Sequence, residues 1–403
     1  MDTKSGYPFW VIANGLLPDY PVLERDTRCD VLVIGGGISG ALIADHLSRH
    51  GHEVVVVEQR DIGWGSTAAS TAMVQYEIDV QMTELANRYS EPIAALAYSA
   101  CVAGVEQFIA LARGLGGCGF SRTDSVYLAS SKRDAKPLAA ENALRVRHGI
   151  PSALWSADRL RERFGFHAPA ALYTRCAAVV DPYRFTCRLF ARAHRRGVEI
   201  YDRTSIRSLT STSRGVLAQT TSGVAIRARY AIVAAGYASQ QWLRTRVAKN
   251  RSTYACISDA VAPALLRRVA RSIVWETARP YHYARTTDDH RLLVGGEDDA
   301  VDVPALRDRR VHRRARALAA YARALVPEVP FIPAFAWGGT FAETRDGLPY
   351  FGAHPERGDR VLFAMAYGGN GITYSILGAT VLRALIERRD HPLAALYGFG
   401  RAH

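Results

Sequence analysis

One short stretch constrains this chain more than any other: Gly35-x-Gly37-x-x-Gly40, set between an apolar run and a helical one. Asp30 to Gly35 (DVLVIG) is a run of the kind that forms a strand buried on both faces. Ala41 to Leu47 has helical periodicity and stops at Gly51, and Glu53 to Glu58 (EVVVVE) supplies a second strand at once. A β-α-β unit this tight puts its two strands parallel in one sheet. One glycine makes the turn, one admits a pyrophosphate to the backbone, and Gly40 packs helix against strand. The helix start, Ile38 and Ser39 included, then presents amides and dipole to the anion. Glu58 ends the second strand, where an acid meets a ribose hydroxyl and disfavours a 2′-phosphate. The ligand is thus an ADP moiety of NAD or FAD type.

Two further segments decide between them. Gln59 and Arg60 lead into Gly65-Ser66-Thr67-Ala68-Ala69-Ser70-Thr71, a small, hydroxyl-rich loop able to wrap a ribityl diphosphate. Far downstream, Gly368-Gly369-Asn370-Gly371-Ile372-Thr373 sets a second glycine turn at a helix start, placed to stabilise negative charge on a reduced flavin. Together they favour FAD. The binding is non-covalent, since the 66–71 loop lacks His and no Cys follows Cys256.

Elsewhere the pattern reads as helices over 90–115, 134–148, 156–164, 182–196, 304–325 and 372–388. Strands are expected at 125–129, 198–201 and 230–236, with a hairpin over 204–226 and a β-rich block over 252–296. The fold class is α/β plus α+β.

Composition narrows the partners. Hydrophobic residues make up 48% and charged residues 22%, an ordinary folded chain. No window of 18–20 residues is free of a charge or turn former, so no membrane span is expected, and the opening residues lack an apolar leader, which points to the cytoplasm. Net charge is +13, yet only four lysines occur and the arginines are scattered, which argues against nucleic acid. The densest cluster, Arg307 to Arg316, reads as a solvated helix face. The six cysteines have no metal-ligand or disulfide spacing, so no metal is expected.

These segments carry a resemblance. The chain is similar to the FAD-dependent D-amino-acid oxidase/glycine oxidase superfamily through 35–58, 65–71, Asp181-Pro-Tyr-Arg184, Ala234-Ala235-Gly236, 292–296, 344–349 and 368–373. Its opening segment, Phe9-Trp10 to Cys29-Asp30, looks most like the γ-glutamylputrescine oxidase-like amine oxidases. The resemblance implies a doubly wound, Rossmann-like FAD domain made of 29–90, 150–240 and 337–403, an antiparallel-sheet substrate domain of 91–149 and 241–336, and an N-terminal extension over 1–28. It adds Ala235 and Gly236 to the cofactor residues. It also implies hydride transfer from a C–H beside nitrogen to flavin N5, from an amine or N-substituted amino acid, with O2 or an electron carrier as acceptor. The alternatives are a flavin dehydrogenase of a 2-hydroxy acid or polyol phosphate, or one subunit of a heteromeric dehydrogenase. Phe341 stands where amino-acid-oxidising members carry a carboxylate-clamping Arg, and no Lys follows Lys249 to assist O2. The replacement candidates lie on strand 281–285, where alternation puts Tyr283 and Arg285 on one face and His282, a candidate base, on the other. Arg285 has a second reading as a structural partner of Asp288 or Asp289. Tyr254 completes the candidate set, as pocket lining or as core.

Overall fold

The computed structural model describes residues 2–15, 19–300, 302–365 and 367–401. Among them, two sheets share the chain. The first runs in the order Tyr350–Ala353, Val361–Met365, Ala225–Val233, Thr27–Ile34, Val54–Val57, Glu199–Tyr201. Its four central pairings are parallel, which joins the two strands read from the sequence (Val31 opposite Val54) to Ala225–Val233 and beyond. Buried on both faces, these strands are nearly pure Val, Ile, Leu and Ala. Helices Ile38–Ser48, Pro182–His194 and Gly371–Ile386 cover one face. The other is covered by the antiparallel hairpin Ile206–Ser211 with Val216–Thr220, whose Leu209, Val216 and Ala218 pack on Leu32 and Val55.

The second sheet orders Lys4–Gly6, Pro333–Glu343, Lys249–Ser258, Leu292–Asp299, His282–Thr286, Ser272–Glu276, Ser121–Leu128, Ala170–Val179, Met73–Gln75, with Ala153–Ser156 paired beside Ala170–Val179. Every pairing is antiparallel except that of Ser272–Glu276 with Ser121–Leu128. Helix Pro304–Leu325 covers its outer face through Val311, Ala315 and Leu318, against Cys256 and Val294. The inner face carries Tyr127, Trp275 and Tyr283.

The division by residue ranges is coarser than the sheets. Strands Met73–Gln75, Ala153–Ser156, Ala170–Val179 and Pro333–Glu343 belong to the second sheet, although most of them fall in ranges read as cofactor domain. A strand's apolar pattern reveals its burial but not its partner, and Ala170–Val179 and Pro333–Glu343 are rich in Ala, Gly and Thr, which mutes even that pattern.

Two expectations need refining. Helix Glu91–Leu115 is by length and composition apolar enough to cross a membrane, because Gly104 and Glu106 are isolated interruptions in a run of Ala, Val, Ile and Leu. In the structure its apolar side lies in the core, and Gly104 lets it approach helix Gly371–Ile386: a Cβ there would stand 3.2 Å from Leu377 and Thr373. The arginine cluster is a solvated face only in part: Arg309, Arg313 and Arg316 are exposed, but the other three are not. Arg307 is 1% exposed, and Arg310 and Arg314 turn inward onto Asp299.

Candidate active site

The first glycine turn forms as its spacing requires. Gly35 takes φ +126°, and a Cβ on it would meet the Ala234 carbonyl oxygen at 2.3 Å. A Cβ on Gly40 would fall 1.9 Å from the Gly35 carbonyl, so Gly40 serves helix packing and does not face the cavity above the turn. Glu58 closes the far side. Its two carboxylate oxygens accept the Gly36 amide (2.7 Å) and the Arg60 amide (2.9 Å), which pins the acid on the cavity wall. Thr67 Oγ1 accepts the Ile38 amide at 2.9 Å and thereby fastens the hydroxyl-rich loop to the helix start.

The second glycine turn reaches the same cavity. Ser39 and Ser375 hydroxyls meet at 2.7 Å, joining the two helices that follow the two turns. Gly368, Gly369, Gly371 and Ile372 line the wall, but Asn370 and Thr373 do not. Asn370 Nδ2 donates to the Glu77 carbonyl (2.6 Å) and Thr373 Oγ1 to the Gln75 carbonyl (2.8 Å). Both are spent on anchoring strand Met73–Gln75, which the sequence pattern did not reveal. Apart from Gly40, every other residue expected at the cofactor, from Gly35 through Gln59, Arg60, Gly65, Ser66, Ser70, Thr71, Ala235 and Gly236, lines this one cavity.

The lining also includes residues that escaped sequence reasoning, among them Thr3, Met73, Thr204, Ser205, Tyr237, Gln241 and Trp242. No motif surrounds them. Three polar atoms on the lining are buried without a partner, namely Thr3 Oγ1, Arg60 Nε and Trp242 Nε1. Buried donors are rarely left unmade, at a cost of about 1–3 kcal/mol each. A polar ligand as long as FAD, with diphosphate and ring heteroatoms, fits a cavity so lined.

The candidate catalytic residues fare differently. Alternation along His282–Thr286 holds, with Tyr283 inward and His282 outward, but Arg285 does not offer its guanidinium to a substrate. At 2% exposure it donates from Nε to the Thr71 carbonyl (2.6 Å), from Nη2 to Val180 (2.9 Å) and from Nη1 to Thr286 (3.2 Å). Burial pulls its pKa down to about 10. It is structural, as its second reading had it, though its bonds go to carbonyls rather than to Asp288 or Asp289. Arg285 has company: Trp337 Nε1 donates to Ala69 O (2.9 Å) and Trp10 Nε1 to Ser70 O (2.8 Å). Three consecutive loop carbonyls are thus held from outside the cavity.

His282 lies on the outer face, between Glu276 (Nδ1, 2.6 Å) and Glu297 (Nε2, 3.0 Å) and stacked on Tyr321 of helix Pro304–Leu325. Burial alone would lower its pKa, but the two carboxylates raise it; held between them on the outer face, it is a clip for two acids and not a base at the cavity. Tyr254 is also outward: its hydroxyl donates to Asp299 at 2.7 Å and its ring packs beneath the same helix. Both misplacements have one cause, since only the sheet's neighbours reveal which alternation phase is inward.

Tyr283 remains. Gly295 on the neighbouring strand makes room for it, a Cβ there falling 2.3 Å from the phenol oxygen. Thr71 and Thr253 lie beside its hydroxyl, and burial pushes its pKa up to about 12, so it stays protonated. Around it gather Tyr281, Tyr237, Asp79 and Asp298. Asp79 accepts the Gly369 amide at 2.6 Å, directly behind the second glycine turn. Burial raises the Asp79 carboxyl, and it raises Asp298 to about 6.

Arg285→Met would leave buried carbonyls unpaired at about 1–3 kcal/mol each. The expected outcome is a clearly lowered Tm with weaker cofactor retention, while the relative kcat/KM values for different substrates stay in the same order. A changed substrate order at unchanged Tm would restore Arg285 to the pocket.

Comparison with known proteins agrees with this geometry. The family model described as "FAD dependent oxidoreductase" matches residues 30–385. The chain is 27% identical over 381 residues to a glycine oxidase of Geobacillus kaustophilus (strain HTA426), covering 90% of this chain and 94% of that one. It is 24% identical over 400 residues to the gamma-glutamylputrescine oxidoreductase of Escherichia coli (strain K12), covering 94% and 89%. The crystal structure of glycine oxidase from Geobacillus kaustophilus superposes with a TM-score of 0.78 over 93% of this chain and 99% of that one, at 22% identity. With one cavity joining both glycine turns and a family match spanning most of the chain, this protein belongs to the FAD dependent oxidoreductases of the D-amino-acid oxidase type.

Proposed function

We propose that the chain oxidises the carbon beside the nitrogen of an amine that carries a positively charged group and no carboxylate held by an arginine. The observation that carries this reading is the pair Asp79 and Asp298. Both are half-buried beside Tyr237, Tyr281 and Tyr283, and among the described residues neither makes an ion pair. A carboxylate left so raises its pKa, and a bound ammonium would lower it again. The nearby cations are otherwise engaged or peripheral: Arg251 is paired with Glu343, and the exposed Arg279 lies over the Tyr281 ring. Phe341 offers no guanidinium, and Arg285 is spent on the loop.

FAD, when bound, supplies a two-electron acceptor for hydride from the substrate carbon. The protein's share is to orient and to exclude water. The acids hold the cationic end, and the protonated Tyr283 hydroxyl, beside Thr71 and Thr253, offers a donor at the substrate face. The amine becomes an imine that water hydrolyses, and the electrons pass to O2 or to a carrier. Anaerobic mixing with an alkyl diamine is expected to bleach the flavin absorbance at least about tenfold faster than a zwitterionic α-amino acid of equal length does, a difference of about 1.4 kcal/mol. Peroxide on re-aeration identifies O2 as acceptor. Bleaching by glycine but not by diamines would overturn the reading.

The pH dependence has a definite sign. The Asp298 carboxyl, at about 6, faces Asp79, Glu343, Arg251, Tyr281 and Tyr283. It is neutral below that value and becomes charged above it. Binding of a quaternary ammonium, whose own charge is fixed, should therefore tighten by up to about tenfold from pH 5 to 7. Asp298→Asn should flatten this rise, and an unchanged slope would remove Asp298 from the site.

A further inference from the structure

We propose that residues 2–6 form a strap that completes the cofactor cavity, with the Thr3 hydroxyl as a direct ligand of the bound FAD. These residues lie outside the stretch that the family model matches, which begins at residue 30. Thr3 lines the cavity at 4% exposure, and its Oγ1 is buried without a partner. Its backbone is already committed, the carbonyl accepting the Thr340 amide at 2.9 Å. The side chain is therefore the group left over, and it faces the cavity.

The strap is held at both ends of its width. Strand Lys4–Gly6 pairs antiparallel with Pro333–Glu343, Lys4 opposite Gly339 and Gly6 opposite Trp337. Beneath it, Arg307 donates to Ser5 Oγ (2.8 Å), to the Asp2 carbonyl (3.2 Å), to Thr340 Oγ1 (2.8 Å) and to Asp302 (2.6 Å). A buried arginine with five donors is a costly anchor for a short strand with no task. On the cavity side, Lys4 Nζ sits 3.5 Å from the centre of the Trp64 ring, at the entrance of the Gly65–Thr71 loop. Burial and the neighbouring Arg60 draw its pKa down to about 8. The strap thus spans from the edge of the substrate sheet to the loop and leaves one unsatisfied hydroxyl between them. This inference depends on FAD occupying the cavity and is independent of the substrate.

The test is a fluorescence titration of apoprotein with FAD for the wild type, Thr3→Val and Thr3→Ser. Loss of a buried hydrogen bond is expected to weaken FAD binding about fivefold to tenfold in Thr3→Val, and Thr3→Ser should restore it to within about twofold. The Tm of apo Thr3→Val should match that of the apo wild type, since the hydroxyl bonds nothing within the protein. Wild-type affinity in Thr3→Val, or equal weakening in Thr3→Ser, would overturn the proposal. Failure of the wild type itself to bind FAD would instead contradict the cofactor assignment.

Discussion

Three consecutive carbonyls, those of Ala69, Ser70 and Thr71, are each gripped by a long side chain from a different part of the molecule. Trp337 comes from the substrate sheet's second strand, Trp10 from the N-terminal helix and Arg285 from the sheet's middle. A loop of Gly, Ser, Thr and Ala has little apolar surface with which to hold itself, so ordering it must be offset from elsewhere. The indoles and the guanidinium bring rigid apolar bodies with polar tips, and each satisfies a backbone acceptor that would otherwise be buried unmade. This grip ties the cofactor loop to the substrate sheet, and the cavity between them keeps its shape for that reason.

The second sheet divides its labour by parity. Residues in one phase of His282–Thr286 and Lys249–Ser258 pack beneath helix Pro304–Leu325, where His282, Tyr254, Arg310 and Arg314 share the carboxylates Glu297 and Asp299. The other phase carries Tyr283, with Tyr281, Tyr237, Asp79 and Asp298 gathered near it. Charge is balanced on the outer side and left unbalanced on the inner one. Uncompensated buried carboxyls cost stability, and such strain concentrates where ligands bind.

The parallel β-α-β unit and both glycine turns were legible because their geometry is local: spacing, a following helix and an acid at a strand end suffice. Convergence of the two turns followed from a resemblance, and Ser39 against Ser375 gives it a physical form. What stayed illegible depends on partners distant in the chain. Arg285 looks like any guanidinium on a strand until Thr71 and Val180 are seen to take its donors. Tyr254 and Tyr283 have similar surroundings in sequence but opposite faces in space. Asn370 fits a helix start, yet its amide reaches strand Met73–Gln75. Arg307 sits in a run that reads as solvated, and distant Thr340 and the returning N-terminal strand, with Asp302, bury it.

The central claim is that one FAD lies across both glycine turns without a covalent bond. Acid precipitation of the purified yellow protein, followed by quantitation of the released flavin, tests it most directly. The account expects about one flavin per chain in the supernatant, with fluorescence that rises when a phosphodiesterase splits it to FMN. Flavin that stays with the pellet, flavin already in the FMN form, or protein that remains colourless after incubation with FAD would contradict it.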